Sequence, residues 1–191
     1  MKPTARPASQ QALQALQARR QRGITLVEAC VVMAITAVLG STAAPSLRGL
    51  LDTRRIDRAA TTLATDIQFV RTEAVARNQP LRLSWHAMPD GSCYVIHTGN
   101  AAQCACNASG PATCTGGARE LRTVLLPSTD RVRLQTNVGS MLIDPLHGTV
   151  SPTGTLRLIG DDMRSVNHVV NIMGRVRSCS PLAAVPGYRA C

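Results

Sequence analysis

The feature that most constrains this chain is the run from Ile24 to Leu47, ITLVEACVVMAITAVLGSTAAPSL, in which Glu28 is the one carboxylate and the other residues are apolar or small. As an α-helix rising about 1.5 Å per residue it extends about 36 Å, enough for a hydrocarbon core of about 30 Å. The reading is a membrane-spanning helix over 24–50. Ahead of it, residues 1–23 carry Lys2, Arg6, Arg19, Arg20 and Arg22 and no acid. By the positive-inside rule that tail stays cytoplasmic, and everything after residue 50 lies on the far side of the membrane. A secretory signal peptide also passes from basic to apolar. This stretch is long for one, however, and Ala43-Ala44-Pro45 is a poor cleavage site because Pro follows the small residues. Glu28, near the start of the span, wants a partner: a charge costs about 2.5 to 3.5 kcal/mol on insertion scales at mid-membrane and less near the interface.

Beyond the span the apolar residues keep helical spacing. Ile56, Ala59, Ala60, Leu63, Ile67, Val70 and Ala74 follow an i, i+3, i+4, i+7 pattern, with Arg54, Arg55, Asp57, Arg58, Asp66, Arg71 and Glu73 on the other positions. The helix therefore continues over 51–79 as an amphipathic half and stops near Asn78, because Pro80 biases Gln79 toward extended geometry. Pro45 predicts a local kink. From residue 80 the pattern changes to strands: Leu81 to Trp85, Cys93 to Thr98, Leu121 to Leu126, Arg131 to Thr136, Ser140 to Ile143, Thr155 to Ile159 and Val166 to Met173. Turn signals at Asp90-Gly91, Pro152-Thr153-Gly154 and Gly160-Asp161-Asp162 separate them. The fold class is α+β: one long N-terminal helix, transmembrane and then amphipathic, packed on an antiparallel β domain over 80–191.

The stretch Arg22-Gly23-Ile24-Thr25-Leu26-Val27-Glu28, followed by the apolar helix, resembles the prepilin cleavage and methylation motif of type IV pilins and type II secretion pseudopilins. The resemblance implies that a prepilin peptidase cuts between Gly23 and Ile24, discards 1–23 as a leader and leaves Ile24 with an N-methylated amine. It also implies that Glu28 pairs with the N-terminal amine of a neighbouring subunit on assembly, so that two charges unfavourable in lipid neutralise each other. Ile24 stands where Phe or Met is commoner, and a 23-residue leader is long for the class. The whole layout resembles the FimT/GspH-like minor pilins, together with RTEAVARNQPLRL after the helix, DPLHGTVSPTGTLRL later and GRVRSC near the end. Implied partners are the prepilin peptidase, other major and minor pilins, and the inner membrane before assembly into a pilus or pseudopilus.

Cysteine usage agrees with that topology. Cys30 lies inside the span and reads as an unpaired small apolar residue, while Cys93, Cys104, Cys106, Cys114, Cys179 and Cys191 all fall on the side assigned to the periplasm. Six is an even number in an oxidising compartment. Cys179 and Cys191, isolated from the others, are expected to pair, which contributes about 3 kcal/mol. The remaining four allow three connectivities. A zinc site is disfavoured, because Cys104-x-Cys106 lacks the usual two-residue spacer and has no nearby histidine. Neither a metal nor another cofactor is expected. No catalytic group is expected either, since His86, His97, His147 and His168 are scattered and no nucleophile or metalloprotease motif is present.

The formal charge of +10 divides equally between the leader and the rest of the chain. From Met163 to Cys191 there are Arg164, Arg175, Arg177 and Arg189 and no acid. In Gly174-Arg175-Val176-Arg177 strand alternation predicts both guanidinium groups on one face, with Gly174 permitting close backbone approach. Two such forks can grip adjacent phosphates. The Gly-Arg-x-Arg pattern is also associated with DNA uptake in the FimT-like members, so the resemblance implies the same partner. The chain has four aromatic residues, Phe69, Trp85, Tyr94 and Tyr188, and only Tyr188 lies near the cluster. Duplex backbone contact without sequence preference is therefore expected over base stacking. The expected function is a minor type IV pilin that binds extracellular double-stranded DNA for natural transformation. The alternative is a GspH-like structural minor pilin or pseudopilin that touches no DNA.

Overall fold

The computed structural model describes residues 24–191 other than Ser109, with the side chains of 42–46 outside the described set. Gly23 and the leader fall outside it, and so does the side chain of Pro45 on which the expected kink depends. Of the described residues, those up to Ser46 and the stretch Leu47–Cys191 form separate units.

Helix α1 spans Leu26–Ala76. Thr25 caps its start: the Glu28 backbone N–H donates to Thr25 Oγ1 at 3.2 Å, in a Thr-x-x-Glu sequence suited to a capping box. In the first unit Leu26, Val27, Val31, Val32, Met33, Ile35, Val38 and Leu39 are all exposed. Among the described residues no helix is long and apolar enough to cross a membrane. The span read over 24–50 is therefore not shown.

The second unit begins at Leu47 and shows why the rest of α1 is amphipathic. Ile56, Ala60, Leu63, Ile67, Val70 and Ala74 are buried along one stripe, each large apolar side chain contributing about 1.5 to 3 kcal/mol. Asp66, read as a surface position, is instead buried at 1% exposure, because two partners meet it inside the domain. The helix closes with a Schellman arrangement. Gln79 N–H donates to the Ala74 carbonyl at 3.1 Å and Asn78 N–H to Val75 at 3.1 Å, while Asn78 itself sits at φ +47°.

Against this stripe lie two five-stranded sheets. The first contains β1 (Leu81–Met88), β2 (Gly91–His97), β5 (Glu120–Pro127), β7 (Ser140–Ile143) and β8 (Val150–Ser151), in the order β5-β2-β1-β7-β8. The second contains β6 (Val132–Thr136), β9 (Gly154–Gly160), β10 (Ser165–Val170), β11 (Val176–Ser180) and β12 (Arg189–Ala190), in the order β12-β11-β10-β9-β6. All pairings within the two sheets are antiparallel except the short β11–β12 ladder. Leu83, Tyr94, Ile96 and Met141 from the first sheet and Leu156, Leu158, Val166 and Val170 from the second join the helix stripe in one core. The strand read through to Met173 ends at Val170, because residues 171–175 form a turn closed by Gly174 N–H on the Asn171 carbonyl at 2.9 Å.

The cysteine-rich segment holds a hairpin that local patterning did not reveal, β3 (Cys104–Asn107) with β4 (Gly110–Cys114). Cys104 and Cys114 stand opposite each other in that hairpin and are bonded, and Cys93 to Cys106 ties it to β2. Cys179 and Cys191 are bonded as well, and Cys30 is free and exposed.

Candidate nucleic-acid interface

The turn that carries Arg175 is built on helix α1. Gly174 adopts φ +69°, a left-handed conformation that favours glycine, and it is buried. A Cβ there would lie 2.9 Å from Arg71 Cδ and 3.3 Å from the Gly148 carbonyl oxygen. Arg71 Nε donates to that Gly148 carbonyl at 3.0 Å, and Gln68 Nε2 donates to the Gly174 carbonyl at 3.3 Å. Gly174 is thus closed off by the helix. Its close approach serves the domain's own packing and not a ligand. Asn171 finishes the turn, its Oδ1 accepting from the Arg175 backbone N–H at 2.9 Å.

From this turn β11 leaves with Val176 half-buried against the core and Arg175 and Arg177 both exposed. Arg175 itself precedes the strand. Arg189 is exposed on β12, directly beside Cys179 in the parallel ladder, and Cys191 two residues on is held to Cys179 by the disulfide.

Arg164 does not join them. Its guanidinium bonds Asp162 and the Thr53 hydroxyl, and Nη2 donates to the Gly49 carbonyl at 2.9 Å. It fastens the β9–β10 turn to helix α1 and is spent on that role. Tyr188 is half-buried with its hydroxyl donating to Asp57 Oδ1 at 3.0 Å, so it offers no open ring for stacking.

The second sheet adds two arginines that a count of C-terminal charge passes over. Register places Arg157 opposite Asn167 and Gln135, and Arg133 opposite Ile159, on the face where Arg177 also lies. Arg133 is exposed, and Arg157 is half-buried with Nε on Ser165 Oγ at 3.2 Å. Each sits between two inward apolar residues, as V-R-L and L-R-L, which is the local signal for an outward side chain. Their proximity to Arg177, 20 positions away for Arg157 and 44 for Arg133, depends on strand pairing, which no local pattern carries. The five strands of this sheet contain four arginines and no acid. Arg131, just before β6, is by contrast paired with Asp52 and Asp161 at 3.6 and 3.4 Å.

Two of the histidines serve the interior. His97 bonds Ser84 Oγ and the Thr98 carbonyl, both at 2.9 Å, and His168 bonds Ser178 Oγ at 2.8 Å. Burial holds both imidazoles below the usual histidine value. Among the described residues no group of three or more His, Cys, Asp or Glu is placed to hold a metal ion. What the outer face of the second sheet can do is donate hydrogen bonds and positive charge to an extended anion.

Residues 59–174 match the family model described as Type II transport protein GspH, more than half of the chain. The chain belongs to the GspH family. Residues 18–44 match a second model, the prokaryotic N-terminal methylation motif, as suits a minor pilin or pseudopilin. A curated GspH-like relative, "Type II secretion system protein H" of Xanthomonas campestris pv. campestris, is 36% identical over 64 residues, or 34% of this chain and 38% of the relative. The alignment thus spans less than two-fifths of that protein's length. The type IV minor pilin FimU of Pseudomonas aeruginosa PAO1 is 18% identical, with 69% of this chain and 96% of that one covered at a TM-score of 0.46. The GspH match stops at Gly174, so Arg175, Arg177 and Arg189 lie beyond it.

Proposed function

We propose that this GspH-family protein is a minor pilin that binds double-stranded DNA through the phosphate backbone. In this reading prepilin peptidase removes the leader between Gly23 and Ile24. The apolar half of α1 anchors the subunit in the inner membrane with its β domain in the periplasm, and Glu28 meets the amine of a neighbouring subunit when the filament assembles. The observation that carries the DNA partner is the exposed pair Arg175 and Arg177, beside Arg189 on a sheet whose strands bear no acid. Guanidinium forks bind phosphate without reading bases, which makes the association insensitive to sequence and steeply dependent on salt.

The test is a mobility shift with the full-length chain in detergent and duplex DNA of mixed sequence. A shift that weakens with salt, and that Arg175→Ala/Arg177→Ala abolishes, supports the reading. No shift, or one unchanged in that variant, sinks it. The name of the Xanthomonas relative favours a second reading, a structural pseudopilin of a type II secretion system without a DNA partner. In that case loss of the gene impairs protein secretion, and the arginine variants secrete normally.

A further inference from the structure

Building on the DNA-backbone reading, we infer that the phosphate footprint crosses the outer face of the second sheet diagonally, from the Arg175 turn through Arg177 and Arg157 to Arg133. The register fixes the line. Arg177 pairs with Val169, which pairs with Thr155; Arg157 is two residues further along β9 and pairs with Gln135; Arg133 is two residues further along β6. Each step from Arg177 to Arg133 moves in the same sense along the strands. With strands about 4.8 Å apart and about 3.3 Å per residue, Arg177 and Arg133 lie about 20 Å apart, with Arg175 extending the row beyond Arg177.

A duplex passes one base pair per 3.4 Å of axis, so a row of that length faces about six base pairs. Between the arginines the outward residues are Val169, Thr155, Asn167, Ser165, Ile159 and Gln135, neutral and without an aromatic ring. The lack of rings removes base stacking and leaves charge and hydrogen bonding to act on the phosphates. The Ser165 bond to Nε holds Arg157 against the face, so its guanidinium is ordered before a ligand arrives. The row ends at β6, since the next cation, Arg131, is already paired with Asp52 and Asp161. Arg189 flanks the row one strand beyond Arg177.

The decisive measurement is the salt dependence of binding of the full-length chain in detergent to a fluorescent duplex of about twenty base pairs. Each phosphate contact contributes about 0.9 to the slope of log affinity against log salt. Arg133→Ala/Arg157→Ala is expected to lower that slope by about two and to weaken binding about tenfold or more at low salt. Arg133→Ala alone, at an exposed site, lowers it by about one and guards against misfolding of the double variant. Lysine at both positions restores most of the slope, and Arg131→Ala leaves it unchanged. If Arg175→Ala/Arg177→Ala loses binding while Arg133→Ala and Arg133→Ala/Arg157→Ala keep the unaltered slope, the diagonal footprint is wrong and contact is confined to the turn. If the unaltered protein binds no duplex, the DNA reading itself fails, and the footprint with it.

Discussion

Asp66 is a carboxylate buried on the packed side of helix α1. Its carboxylate accepts from the Tyr94 hydroxyl at 2.7 Å and lies 2.9 Å from Arg122, whose own side chain is 45% exposed. Burial first, then the bond to Asp66 and its charge, push the Tyr94 phenol far above its ordinary value, so it stays a donor at every ordinary pH. Asp66→Ala is expected to lower stability by about 2 kcal/mol, read as a urea midpoint, because Tyr94 is left with an unmatched hydroxyl in the core. Arg122 can turn to water and adds little. Adding Tyr94→Phe should recover part of the loss, and no recovery would assign the cost to packing instead.

His97 and His168 set the acid limit. Their folded-state pKa values lie below the ordinary 6.5, through burial in both cases. As pH falls through about 6.5 the unfolded chain takes up protons that the folded chain refuses, so stability is full above that value and is lost below it. The slope reaches about 1.4 kcal/mol per pH unit for each histidine over that window. Urea midpoints at about pH 7.5 and about pH 5.5 should therefore differ, the acid one being lower. His168→Gln should flatten the difference.

Among the elements, what could be read in advance was what repeats locally. The helix stripe from Ile56 to Ala74 was legible because a 3.6-residue period places those positions on one side, and the stop near Asn78 because Pro80 constrains the backbone before it. The β3–β4 hairpin was not legible: its segment of small residues has no strand alternation, and two disulfides hold it where an apolar face would otherwise be needed. Arg164 was misjudged because a charge count records no partners, whereas Gly49, Thr53 and Asp162 reach it from distant positions. Arg157 and Arg133 were missed for the converse reason, since only the ladder brings them beside Arg177. Strand β12 is short, with two residues paired to β11. Cys179→Ser/Cys191→Ser should cost about 3 kcal/mol by releasing a loop spanning 12 positions, and should free Arg189 from its place beside β11. Unchanged thermal unfolding in that variant would contradict this.

Across the whole molecule, charge is sorted by place. Residues 1–23 hold half of the net +10, several helix and turn arginines are matched by Asp52, Glu73 and Asp162, and the strands of the second sheet carry arginines and no acid. If the chain is processed as proposed, mass spectrometry of protein extracted from membranes finds an N-methylated Ile24 as the first residue; an intact Met1 terminus refutes it. The two side-chain bonds from the helix, Gln68 to Gly174 and Arg71 to Gly148, join residues 106 and 77 positions apart in sequence. In mechanical terms they are a short circuit. A pull on this part of the helix reaches the Arg175 turn directly, without first stretching the strands between, so this stretch of helix and the turn shift as one piece.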